Sequence, residues 1–214
     1  MNRLQSGPLV DNRETDIWRS KDGRAWRIGG DAEIAWIEEN TPGGLRITSA
    51  IPPVFEAYGT LELPGTGNQP AAPSTAGWEK EWDRHEAGVL AALSEHSGPQ
   101  SWWLGYLETG APDLIFGGAR RVRLYADWPY VLIEAGPEQA RSWREDGWKG
   151  ALPDLMFPAD RSWLFSTLWD DDWTCIGGSR GLVDVFLAHP DLRGRVREVN
   201  PLMKDATPPG HTAY

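Results

Sequence analysis

The sequence predicts an α+β fold, a mainly antiparallel sheet with helices packed on one face. Three observations lead there. Strand-like segments at 102–107, 121–126, 130–135 and 163–169 follow one another with turn residues between them. A long stretch from Trp78 to His96 carries helical spacing instead. The run Arg161–Ser179 then reads as a β-hairpin, a glycine turn and the start of a helix, and the rest of the chain is arranged around it.

In that hairpin, Trp163, Phe165, Thr167 and Trp169 fall on one face, and Ser162, Leu164, Ser166 and Leu168 on the other. Asp170, Asp171 and Asp172 suit a turn. A turn there sets Trp169 opposite Trp173, a cross-strand aromatic pair. Gly177 and Gly178 permit positive backbone angles. Ser179 is placed to cap a helix carrying Leu182, Val183, Phe186 and Leu187, which Pro190 limits. Leu164 and Leu168 are expected to pack on that helix, and the aromatic face to form a second core layer or a recognition surface.

From the N-terminus, Trp26 to Ile28 reads as a short strand, and Asp31 opens a helix with Ile34, Ala35 and Ile37 inside. Leu45 to Ser49 reads as a strand. Ile51 to Tyr58 is open between a proline-started helix and a strand, because Phe55, Ala57, Gly59, Leu61 and Leu63 alternate. Residues 64–77 are Pro, Gly, Thr, Ser, Asn, Gln and Ala, the composition of a flexible loop. In the long helix, Trp78, Trp82, His85, Val89 and Leu93 form one buried stripe. Trp102 to Leu107 is apolar on both faces and therefore central. Pro137 starts a short helix with Ala140 and Trp143 inside. Residues 146–160 read as loop, anchored by Leu152, Leu155, Met156 and Phe157. The domain reading is a single α+β domain over 1–200 and an irregular tail over 201–214.

At 214 residues the chain buries a sizeable core without staples. No apolar run approaches the roughly 20 residues of a membrane span, and Met1–Gln5 lacks an apolar signal core. The single cysteine, Cys175, excludes an internal disulfide and fits a cytoplasmic setting. With 21 basic and 31 acidic residues the net charge is −10, which argues against a nucleic-acid partner and is compatible with a basic protein partner. The preference for arginine over lysine, with frequent Ala, Gly and Pro, suggests a bacterial source. Thirteen tryptophans stand out, a residue type enriched both in cores and at interfaces.

Catalytic motifs are absent from the sequence: no paired cysteines, no His-Glu-x-x-His, no Gly-x-Ser-x-Gly and no phosphate loop. His85 and His96 lie on one expected helix about 16 Å apart, too far to share a metal. Cys175, among bulky apolar residues, reads as an inert buried thiol. The sharpest polar feature is Asp170-Asp171-Asp172. Carboxylates bind Mg²⁺ or Ca²⁺ through oxygen, but three adjacent turn residues do not converge on one ion, so a solvated acidic turn is expected. Neither a metal, a cofactor nor a catalytic residue is assigned.

Leu152-Pro153 and the helix from Ser179 to Leu187, in the order helix, antiparallel hairpins, then a strand into a final helix, resemble the SUKH superfamily. The chain also looks like bacterial proteins with tryptophan-rich hairpins. The SUKH resemblance implies a partner-binding protein, in bacteria an immunity protein against a toxin. The function expected is therefore a cytoplasmic protein-binding module, with Trp169, Asp170, Asp171, Asp172 and Trp173 as its partner-binding residues. The alternative is a small metal-dependent hydrolase or phosphoesterase using Asp170 and Asp172. No nucleic acid or membrane partner is expected, and the oligomeric state is open.

Overall fold

The computed structural model describes residues 16–42, 47–65, 75–110, 115–116, 118–144, 150–168 and 172–201. Its strands are β1 (Ile17–Arg19), β2 (Ala25–Ile28), β3 (Ala57–Glu62), β4 (Trp102–Leu107), β5 (Val122–Leu124), β6 (Trp128–Ala135), β7 (Leu155–Pro158), β8 (Leu164–Ser166), β9 (Trp173–Gly178) and β10 (Val196–Glu198). The helices are α1 (Asp31–Glu38), α2 (Thr75–Ser97) and α3 (Arg180–Ala188). The strands make one 10-stranded sheet in the order β1-β2-β6-β4-β7-β8-β9-β3-β10, with β5 paired to β6. Every pairing is antiparallel. Among the described residues the fold is thus α+β, with three helices packed on an antiparallel sheet.

The period-two geometry of a strand sorts the core into two layers. Trp102, Leu104, Tyr106, Val131, Ile133, Met156, Phe165 and Ile176 share one layer with Val89 and Leu93 of α2 and Leu182 and Phe186 of α3. Trp103, Leu132, Leu155, Phe157, Leu164, Trp173 and Cys175 share the other with Ile34 and Ile37 of α1 and with Ile47 and Ile51. The two longer helices share a face as expected, and α1 covers the opposite one.

That second layer reverses the expected packing of the hairpin. Trp163 and Phe165 pack on the α2–α3 side, and Leu164 packs on the α1 side. The aromatic face is core, with Trp163 and Phe165 buried. Trp163 meets Trp102 edge-on at 4.9 Å, and its indole N–H donates to the Ser97 hydroxyl at 2.9 Å. Both faces of the sheet are apolar, so hydrophobic alternation alone does not say which face meets which helix.

Four further readings are corrected. Residues 155–158, expected as loop, form β7 between β4 and β8. A strand buried on both faces has no alternation to detect. Ile47–Ser49, expected within a strand, is a single 3₁₀ turn, in which the Ala50 and Ile51 amides bond the Ile47 carbonyl; residues 45 and 46 lie outside the described set. Thr75 to Gly77 open α2 rather than belonging to the preceding loop, whose residues 66–74 lie outside the described set. Gly177 and Gly178 are strand residues of β9 rather than a turn. Glycine is needed there for close approach: a Cβ on Gly177 would lie 2.4 Å from Ile51 and 2.5 Å from Phe55. The cap is as expected, with the Ser179 hydroxyl accepting from the Leu182 amide at 3.2 Å.

Candidate functional site

Of the five residues expected at a partner surface, Trp169, Asp170 and Asp171 lie outside the described residues. Asp172 is exposed, and its carbonyl accepts from the Leu63 amide at 2.8 Å. Trp173 opens β9 opposite Glu62 of β3. It is 8% exposed and sits in the α1-side layer, with Leu168 packed nearby. It is therefore a core residue, not a projecting anchor. The β8–β9 register pairs Phe165 with Ile176 and Ser166 with Cys175. Carried on, this register sets Leu168 across from Trp173, one residue from the expected pairing. The Thr167 and Thr174 hydroxyls, 2.7 Å apart, agree with it.

The structure also gathers charged residues that no spacing in the sequence brings together. Arg144, buried, pairs with Asp154 at 2.5 Å and donates through Nε to the Leu152 carbonyl at 3.3 Å. Its guanidinium lies 5.5 Å from the Tyr106 ring centre. Asp154 also accepts from the Leu107 amide at 2.8 Å. Burial raises the Asp154 pKa, against the opposing pull of Arg144 and that amide. Glu86, on α2, accepts from the Leu152 amide at 3.1 Å. Burial pushes its carboxyl up to about 8, with weaker lowering from the Leu152 amide and then from Arg141 and Arg144. The signal was not in the sequence: Glu86, Arg144 and Asp154 are brought near one another by the β4–β7 pairing and by α2 sharing the core layer on that face.

On the other flank of α2, His85 is 2% exposed and faces Arg195 at 3.4 Å, while Arg195 also pairs with Glu81. Burial, with the Arg195 charge second, lowers the His85 pKa to about 3. A neutral imidazole then accepts from the guanidinium. Because the folded pKa lies below the ordinary 6.5, stability is full above pH 6.5 and falls as the solution is acidified toward pH 3. Urea unfolding of the protein and of His85→Gln should differ by a constant amount above about pH 6.5, and by roughly 1.4 kcal/mol less per pH unit below it. A difference that does not change with pH would mean that His85 carries no such shift.

These groups are built as structural ties. Among the described residues, no three His, Cys, Asp or Glu side chains gather in a way that could hold a metal ion. Cys175 is a buried thiol. Among the described residues, no helix is long and apolar enough to cross a membrane. What the described surface offers is charge. Arg27, Arg120, Arg121, Arg141, Arg180 and Arg195 each face a carboxylate of the same chain. Asp31, Glu38, Glu39, Glu79, Asp184 and Asp191 stand exposed. In comparisons with family models, with curated proteins and with solved structures, nothing matches the chain.

Proposed function

We propose that this chain is a cytoplasmic protein-binding module whose partner is a basic protein, in the setting of a bacterial toxin and its immunity protein. The observation that carries this reading is the fate of the arginines. Many of them neutralise carboxylates within the chain, while Asp31, Glu38, Glu39, Glu79, Asp184 and Asp191 among the described residues stand exposed, in a chain of net charge −10. An anionic surface of this kind steers a cationic partner and repels nucleic acid. The resemblance of the Ser179–Leu187 helix and Leu152-Pro153 to the SUKH superfamily supports the immunity setting.

The test is to express the products of the adjacent genes in a bacterial host, with and without this chain. One neighbour is expected to be toxic alone and harmless in its presence, and to form a complex with it. The association rate of that complex should fall about tenfold or more between roughly 50 and 500 mM salt. If no neighbouring product is neutralised, or if association ignores salt, the reading fails.

A further inference from the structure

Residues 150–154 lead into β7 and are held mainly by side chains. The Gly150 carbonyl accepts from Arg141 Nε at 2.9 Å. The Leu152 amide donates to Glu86 and the Leu152 carbonyl accepts from Arg144. The Asp154 carboxylate takes Arg144 and the Leu107 amide, and its carbonyl accepts from the Thr167 amide at 2.8 Å. Strand pairing begins only at Leu155. Beneath this segment the Leu152 side chain, 8% exposed, shares a core layer with Tyr106 and Trp143.

We propose that residues 150–154 form a proton-released strap: loss of the Glu86 proton favours a state in which Leu152 leaves the aromatic core and Glu86 meets water. Among the described residues, the charged groups facing Glu86 are Asp83 on its own helix and Arg141 and Arg144 from the segment after the single 3₁₀ turn Pro137–Gln139. Neither arginine is free to serve it. Arg141 pairs with Asp83 at 2.5 Å and bonds Gly150, and Arg144 is committed to Asp154. A carboxylate in this place is therefore poorly compensated, and the closed strap suits the neutral acid. When the strap opens, Glu86 regains an ordinary carboxyl pKa of 4.5, against about 8 when closed. Linkage then makes the opening constant rise about tenfold per pH unit between those values and level off above the higher one. The device uncovers an aromatic surface, that of Tyr106 and Trp143, as the solution turns from acidic to mildly alkaline.

Amide hydrogen exchange on the whole chain, corrected for the intrinsic pH dependence of exchange, tests this. The Leu152 amide is expected to exchange through an opening more frequent than that of Leu104 in the central strand β4. Its opening constant should rise about tenfold per unit from roughly pH 5 to 8 and then flatten. In Glu86→Gln, which keeps an acceptor for the Leu152 amide and has no proton to lose, it should be flat. Three results overturn the proposal: a flat wild-type profile, the same slope in Glu86→Gln, or Leu152 exchanging only together with Leu104. If Glu86→Gln does not fold, the wild-type slope and the Leu152–Leu104 comparison still decide.

Discussion

Truncating Trp173 to alanine is expected to cost about 3–5 kcal/mol of stability, the loss typical of a buried large aromatic. The residue is 8% exposed at the start of β9, and β9 is clamped between β8 and β3. Its indole shares a layer with Tyr58, Leu164 and Cys175, which belong to strands already fixed by ladder hydrogen bonds, and with Val199, whose amide donates to the Tyr58 carbonyl at 2.9 Å. They cannot collapse into the space left behind, so the cavity term is retained. Urea unfolding measured by circular dichroism checks this. A loss below about 1 kcal/mol would return Trp173 to the surface and restore it as a candidate anchor.

Replacing Arg144 by methionine should be comparably damaging, by about 3–5 kcal/mol, because it strands a buried partner charge. Asp154 would keep the Leu107 amide as a donor to its carboxylate, and the Leu152 carbonyl would lose the Nε–H. Burial already raises the Asp154 pKa, so without the guanidinium the carboxyl takes up a proton more readily. The loss should accordingly be greater at pH 7 than at pH 4. The double variant Arg144→Met, Asp154→Leu removes both charges and should recover most of the loss. Calorimetry on Arg144→Met, Asp154→Leu and the double variant gives the coupling. Additive losses would show that the pair does not act as a unit.

How far the sequence foretold this structure follows from which interactions are local. Hairpins at 122–135 and 164–178 join segments close in the chain, and each face of a strand reads out in steps of two, so the antiparallel sheet was legible. Of the stripe Trp78, Trp82, His85, Val89 and Leu93, the last three named the buried side of α2 for the same reason, while Trp82 is half-buried and Trp78 is exposed. The strand β7 was hidden because both of its faces are covered, and β10 because three residues hold too little pattern. The candidate site was legible only as a polar turn beside tryptophan. That Trp173 is packed depends on a second covered face, built by α1 and Ile47–Ile51 far upstream. The ties among Glu86, Arg144 and Asp154 depend on strand order, which single-residue patterns do not encode.

The place of β3 in the sheet has a kinetic consequence. Its neighbours are β9 and β10, so Ala57 pairs with Gly178 and Leu61 with Val196. Residues synthesised in the first third of the chain wait for partners from the last fifth. β2 waits likewise for β6. Closing such long loops is entropically costly before any contact compensates, which slows folding in sheets dominated by distant pairings. On the ribosome, β4 to β6 can form their hairpins as they emerge, while β3 stays an open apolar edge until the C-terminal strands are released. The vulnerable interval in the life of this protein is therefore the one before β9 and β10 arrive, when β3 is available to any other strand that reaches it first.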